Sequence, residues 1–380
     1  MKKVVVAGVG IHPFGRFDEK PVSAMAIEAV MDALGNANME YKNIQTAFVS
    51  RVFAPPGTGV RALSEIGRTG IPVIEVEAAC AGGGACLRQG YNAIVSGMYD
   101  IVLCLGVEKM PRGFMNPEII VEPWQAKMGL SQSPVVWALL ARRRMHDYGL
   151  TIEQICRVAV KNHKNGQFNP NAYYRKAMSL EEILNSTVVA DPLRLYAICA
   201  PNEGAAAVVL CSEKAARRFT TKTVEICSCA HVVSKSPWNN ISGYDWDLVV
   251  PQPHVTALAG KQAYEAAGIG PKDISVAEVQ DTEACQEIEA YEYLGFCGEG
   301  EGGQLVDKGA TEIDGRIPVN ASGGLICKGE PVGASGLGQV HEIVLQLRGE
   351  AGQRQVTNPK VGLAHVFGSF GHCTVTILKK

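Results

Sequence analysis

Short apolar runs alternate along this chain with stretches whose apolar residues return at helical spacing. The first run is Val4-Val5-Val6-Ala7-Gly8, and later ones are IPVIEVEAA (71–79), DIVLCLGVEKM (100–110), EGAAAVVLCSE (203–213) and KVGLAHVFGSF (360–370). The alternation predicts an α/β protein in which parallel sheet is covered by helices. One pattern occurs twice. Residues 24–51 (AMAIEAVMDALGNANMEYKNIQTAFVSR) and 255–281 (VTALAGKQAYEAAGIGPKDISVAEVQD) each read as a small-residue helix, a Gly or Asn stop, a polar loop and an apolar strand with a polar end. Each copy is followed by a glycine-bearing helix start, at 80–85 and at 333–338, and then by a further helix and strand. The expectation is two similar halves, 1–240 and 241–380, whose corresponding strand ends share one crevice, where α/β folds bind ligands. Residues 111–200 break the rhythm with Pro, Trp, Arg and Asn and read as a mostly helical insertion in the first half that covers the crevice.

Composition narrows the classes. With 380 residues, 47% of them hydrophobic, and 36 basic against 38 acidic residues, the chain has material for a large core and no electrostatic case for nucleic acid. No apolar stretch reaches the ~18 residues a membrane span requires, and the N-terminal run is too short for a secretory signal, so the expected location is cytoplasmic. Twelve cysteines in a chain of this size, without a repeated C-x-x-C pair, predict reduced core residues and no metal site. Within the insertion, Trp124 and Trp137 read as core packing or as substrate contacts. Arg142, Arg144, His146, Lys161, His163 and Lys164 are candidates for meeting phosphates, although the Arg142-Arg143-Arg144 triplet reads first as a solvated helix face.

The cysteine that departs from this picture is Cys80, in VEAACAGGGACLRQG (76–90). It stands where a strand gives way to a helix, among unpaired N–H groups at the positive end of the helix dipole, a place that favours thiolate. Gly82, Gly83 and Gly84 leave room for another backbone or a ligand chain, and the N–H of Cys80 can itself donate to an oxyanion. The alternative is a small buried cysteine before a glycine-eased helix.

VEAACAGGGACLRQGYNAIVSGMYDIVLCLGVEKM resembles the nucleophile region of thiolases. GAAAVVLCSE, AYEAAGIGPKDISVAEVQD and VNASGGLICKGEPVGASGLGQ follow in that family's order, so the resemblance spans nearly the whole chain. NHKNGQFNP (162–170) and the AH…G ending at 364–368 are most similar to the sterol-carrier-protein-like thiolases of bacteria and archaea. The resemblance implies two fused halves in a five-layered α-β-α-β-α sandwich with an inserted loop domain. It also implies coenzyme A thioesters as substrates, coenzyme A as co-substrate with no permanently bound cofactor, and a homodimer. In this branch a small OB-fold and zinc-ribbon partner subunit is the further expectation.

Carried over by position, the resemblance implies that Cys80 is the acylated nucleophile and that its own N–H and that of Gly368 hold the oxyanion. It places Gln280 and Glu330 in the pocket for the thioester oxygen. Both are departures, since relatives carry Asn or His at the first position and His at the second. A carboxylate at Glu330 would raise the thiol's pKa, so Glu330 reads as a general base for Cys80, as a protonated donor, or as a structural residue bonded to backbone. The family's second, acid–base cysteine would fall on Val366 or on Thr282, and neither titrates. His365 is the first choice to replace it, followed by Glu283 and Cys285. The expected reaction is thiolytic cleavage of a branched, carboxylated or aryl β-ketoacyl-CoA, such as 2-benzoylsuccinyl-CoA. A carbon–carbon synthase or lyase without an acyl-enzyme, and a noncatalytic scaffold subunit, stay open.

Overall fold

The computed structural model describes residues 2–113, 123–130, 132–234, 240–241, 244–245 and 253–380. In chain order its elements are β1 (Val4–Gly15), α1 (Val22–Asn36), β2 (Thr46–Ser50), α2 (Thr58–Ile66), β3 (Val73–Val76), α3 (Gly82–Val95) and β4 (Ile101–Lys109). The insertion supplies α4 (Pro123–Lys127), α5 (Ser133–Tyr148), α6 (Ile152–Gly166), α7 (Leu180–Leu184), β5 (Val188–Ala190) and β6 (Leu193–Arg194). Then come β7 (Glu203–Ser212), α8 (Glu213–Ala216), β8 (Val224–Val233), β9 (Asn240–Ile241), β10 (Tyr244–Asp245), α9 (Val255–Ala267) and β11 (Val276–Glu278). The chain closes with α10 (Ala284–Tyr293), α11 (Gly302–Asp307), α12 (Gly324–Lys328), α13 (Val332–Arg348), β12 (Val361–Gly368) and β13 (His372–Lys379).

Nine strands hydrogen-bond in the order β11-β12-β13-β8-β1-β7-β4-β2-β3, and this order resolves into two sets of one design. In the first, β2 lies parallel to β3 and β4, β4 antiparallel to β7, and β7 antiparallel to β1. In the second, β11 lies parallel to β12, β12 antiparallel to β13, and β13 antiparallel to β8. A parallel bridge from Ala277 to Val319 stands where β3 stands in the first set. The two sets meet where Val5 and Val6 of β1 face Glu225 and Val224 of β8. The repeat read from residues 24–51 and 255–281 is thus the helix and strand that open each set after its first strand.

Period-two alternation assigns each strand's side chains to two cores. On β4, Leu103, Leu105 and Val107 pack with Met25, Ala29 and Ala33 of α1, whereas Val102 and Cys104 turn to Cys86, Leu87 and Ile94 of α3. The middle core continues into Leu337, Val340, Ile343 and Val344 of α13 and reaches Ala364 and Leu378 of the second set. A third core joins Val255, Ala259 and Ala263 of α9 to Ile155, Cys156, Val158 and Ala159 of α6 and to Ala284 and Ile288 of α10. Three cores separated by two sheets make the five layers. Fifteen of the 17 residues of α13 are buried, as befits a helix with sheet on both sides. Each fully buried Leu or Ile contributes about 1.5–3 kcal/mol. Among the described residues no helix is long and apolar enough to cross a membrane.

The two central helices touch backbone to backbone. A Cβ on Gly83 would lie 2.9 Å from the Leu337 N and 3.2 Å from the Gly336 Cα, and a Cβ on Gly336 would lie 2.9 Å from the Gly84 N. The glycines after Cys80 therefore admit the other half's helix. Because backbone cannot yield as a side chain tip does, Gly83→Ala is expected to destabilise the fold by roughly 1–3 kcal/mol, read as a lower urea midpoint with unchanged slope.

Candidate active site

The end of β3 delivers the chain into a tight turn. Ala79 sits at φ 48°, a left-handed conformation costly for a residue with a Cβ, and its N–H donates to Glu77 Oε1 at 2.7 Å. A single 3₁₀ turn, Ala79–Ala81, then presents Cys80 just before α3 begins. From the second half, the end of β12 closes on this turn: a Cβ on Gly368 would fall 2.9 Å from the Cys80 N and 2.8 Å from the Ala81 N. Only glycine allows so close an approach.

Cys80 opens into a cavity of about 350 Å³. Its walls come from both halves and from the insertion, and they are mainly apolar and aromatic, with Trp137, Tyr174, Leu195, Ile198, Val332 and Phe367 among them. The insertion does cover the crevice, and Trp137 faces the cavity. Trp124 is half exposed elsewhere.

Glu330 is fixed on the cavity wall. Its N–H donates to Ala200 O at 3.0 Å, in a bridge that ties the turn before α13 to the strand entering β7. Its carboxylate is surrounded by donors: Gln280 Nε2 reaches Oε1 at 2.6 Å, Cys199 Sγ reaches Oε2 at 3.1 Å, and the Cys80 thiol bonds to it as well. Gln280 Nε2 also donates to Thr282 Oγ1 at 2.8 Å, and Cys199 is held by its N–H on Thr282 O at 2.9 Å. The structure thus brings together four sequence candidates, Cys80, Gln280, Glu330 and Gly368. It adds Cys199, which nothing in its spacing set apart from the other eleven cysteines.

The electrostatics reverse one expectation. Burial pushes the Cys80 thiol well above its ordinary range, the Glu330 carboxylate pushes it further, and the N–H groups of Ser369 and Cys80 oppose this more weakly. At rest the helix-start position does not outweigh desolvation and the neighbouring anion, so the thiol is protonated. Cys199 is raised by the same two causes, and Glu330 is raised by burial against the pull of its three donors.

Other candidates are moved away from the cavity. His365 precedes Val366 by one residue on β12, and one step along a strand reverses the side chain's face. Its Nε2 meets Thr256 Oγ1 at 3.0 Å, and its Nδ1 accepts from the Gln280 N–H at 3.4 Å. It borders a separate small void of about 20 Å³ beside α9 and α10. Burial, then the nearby His254, lowers its pKa to about 3. Its expected acid–base role is therefore corrected: the imidazole lines that void and not the Cys80 cavity, and it stays neutral. Glu283 caps α10 through the Cys285 and Gln286 N–H groups, and Cys285 is enclosed behind it. Arg144 is buried in an ion pair with Glu292 and over the Tyr148 ring, so it is not available to a phosphate. His163 is buried against Tyr196 O, and Lys161 is paired with Glu287. Arg142 stays on the surface, paired with Asp191.

The comparisons agree with this architecture. Residues 4–214 match the thiolase N-terminal domain and residues 247–380 the thiolase C-terminal domain-like family. The acetyl-CoA acetyltransferase of Methanothermobacter thermautotrophicus is 38% identical over 384 residues, covering 98% of this chain and 97% of that protein. The benzoylsuccinyl-CoA thiolase subunit BbsB of Thauera aromatica is 32% identical over 380 residues, covering 97% and 95%. Among solved structures, an Ltp2-ChsH2(DUF35) aldolase superposes with a TM-score of 0.85 at 25% identity, covering 100% of this chain and 98% of that one. The chain belongs to the thiolase family. It is an enzyme of the acyltransferase type.

In Glu330→Gln, removal of the anion beside the sulfur is expected to move the pH inflection for Cys80 alkylation by iodoacetamide to lower pH. Peptide mass mapping across pH reads it, and an unchanged or higher inflection would contradict the contact.

Proposed function

We propose that this enzyme cleaves a β-ketoacyl-CoA with coenzyme A through an acyl-Cys80 intermediate. The observation that carries the reading is the placement of Cys80 on the wall of an apolar cavity, against a carboxylate and beside backbone N–H groups. Glu330 takes the thiol proton, the sulfur attacks the β-keto carbon, and the N–H groups of Cys80 and of the Gly368–Ser369 turn stabilise the oxyanion. Gln280 holds the Glu330 carboxylate in place through its amide N–H. Free coenzyme A then removes the acyl group from Cys80.

The lining favours an aryl or branched acyl group. Trp137, Tyr174 and Phe367 offer flat apolar surface, and a benzoyl group such as that of 2-benzoylsuccinyl-CoA fits this chemistry. None of the described lining residues is Lys, Arg or His, so a carboxylate on the acyl part would find no counter-charge in this cavity. Arg142 remains the candidate for a coenzyme A phosphate. We take the halves to divide between α8 and β8, before residue 240, because β8 runs along β13.

A second reading, a carbon–carbon lyase without acyl-enzyme, is favoured by the likeness to an aldolase and by Val366 and Thr282 at the expected acid–base positions. Intact-protein mass spectrometry after β-ketoacyl-CoA addition separates the two. An acyl adduct on Cys80, absent in Cys80→Ser, is expected; productive cleavage without an adduct would sink the acyl-enzyme.

For assembly we propose a homodimer through β3, with a small OB-fold and zinc-ribbon subunit as a further partner. β3 ends the sheet order, and its Ile74 is 51% exposed, an unprotected edge of the kind that pairs with a second copy. The aldolase neighbour carries a DUF35 component, which supports the partner. Light scattering is expected to show a dimer for the wild type and a monomer for Ile74→Lys; a dimer in both would remove β3 from the interface.

A further inference from the structure

The acyl-Cys80 reading leaves one proton unassigned. When the bond between the β-keto carbon and the α-carbon breaks, the electron pair stays on the α-carbon, which must be protonated; the incoming coenzyme A thiol must in turn lose a proton. The group that does this must titrate and must line the cavity. Among the described lining residues, Cys80, Tyr174, Cys199 and Glu330 carry titrating side chains. Cys80 is committed to the acyl group. Tyr174 is raised by burial and packs at a tilt against Tyr173, at 4.8 Å between ring centroids. Glu330 already holds the Cys80 proton. Cys199 remains, a buried thiol whose Sγ lies 3.1 Å from Glu330 Oε2, on the opposite oxygen from Gln280.

We propose that Cys199 is the proton-transfer residue of this site, resting on the acyl-Cys80 reading above, with Glu330 as the shared carboxylate that links the two thiols. The protons balance around the cycle. Glu330 accepts the proton of Cys80, and the thiolate attacks. The α-carbon takes the proton of Cys199, leaving a thiolate that accepts a hydrogen bond from the now neutral Glu330. The coenzyme A thiol returns a proton to Cys199 as its sulfur attacks acyl-Cys80. Cys80 leaves as thiolate and recovers its proton from Glu330. Net, one β-ketoacyl-CoA and one coenzyme A give two acyl-CoA products. Gln280 is suited to a carboxylate that changes state, because its Oε1 is buried with no partner among the described residues. A half-turn of the amide would present that oxygen to protonated Glu330, and the Thr282 hydroxyl can serve as donor or acceptor.

The test uses acetyl-CoA as probe in deuterium oxide with the full-length enzyme. Two quantities are read: deuterium incorporated at the acetyl methyl, and the acetyl adduct on Cys80 by mass spectrometry. Cys199→Ser retains a hydroxyl that can donate to Glu330 but cannot exchange protons near neutral pH, so it separates proton transfer from packing. The expected result is exchange in the wild type, and in Cys199→Ser an adduct that still forms, more slowly because coenzyme A then leaves without its proton donor, with exchange reduced about 100-fold or more at equal adduct. Exchange within threefold of wild type in Cys199→Ser, or none in the wild type, would overturn the assignment to Cys199. An absent Cys80 adduct in the wild type would instead overturn the acyl-enzyme itself. Should Cys199→Ser not fold, wild-type enzyme is acetylated on Cys80 and then thiomethylated at Cys199, as verified by peptide mapping. Exchange should vanish and return with dithiothreitol, and exchange that persists on the thiomethylated protein would refute the proposal.

Discussion

The contact between Gly83 and the Gly336–Leu337 backbone governs the rest of this molecule. Two helices that approach this closely can share one layer between two sheets. Their starts then lie side by side, so the turn before α3, carrying Cys80, meets the turn before α13, carrying Glu330. The duplication that builds the fold thereby builds the site: equivalent positions in the two halves supply the sulfur and the carboxylate. Strand ends do the same, with β12 bringing Gly368 onto the Cys80 turn and β11 leading into Gln280.

Desolvation decides the character of these groups once they are together. A thiol ahead of a helix would ordinarily lean toward thiolate. Here it is enclosed with a second thiol and a carboxylate, and placing several charges in one dry space is unfavourable. The protons therefore stay on sulfur while Glu330 gathers three donors. A site arranged in this way holds its reactivity until substrate enters.

The insertion supplies much of the cavity wall. Its helices belong to the core of the second half's outer layer, through Ile155, Val158 and Ala159, while its returning segment brings Leu195, Ile198 and Cys199 to the cavity wall. Its buried cations, Arg144 and Lys161, are consumed in ion pairs that lock it to α10. They stabilise the lid's position and leave the acyl space apolar.

The family resemblance implied that Gln280, Glu330 and Gly368 approach Cys80, and the sequence by itself determined the duplicated α/β design, the covering insertion and the Cys80 turn with its glycines. These are legible because strand and helix periods are local, and because a cysteine at a strand-to-helix junction before consecutive glycines is a rare local arrangement. Local pattern could not say which face of β12 carries His365, since the register against α9 and α13 is set by packing across the sheet. Nor could it single out Cys199, whose place beside Glu330 arises from a bridge between segments 130 residues apart in sequence, Ala200 with Glu330. The fate of Arg144 was equally hidden. Only tertiary structure decides which charges are neutralised by burial partners and which thiols share a carboxylate, because both depend on distances through space that no spacing along the chain encodes.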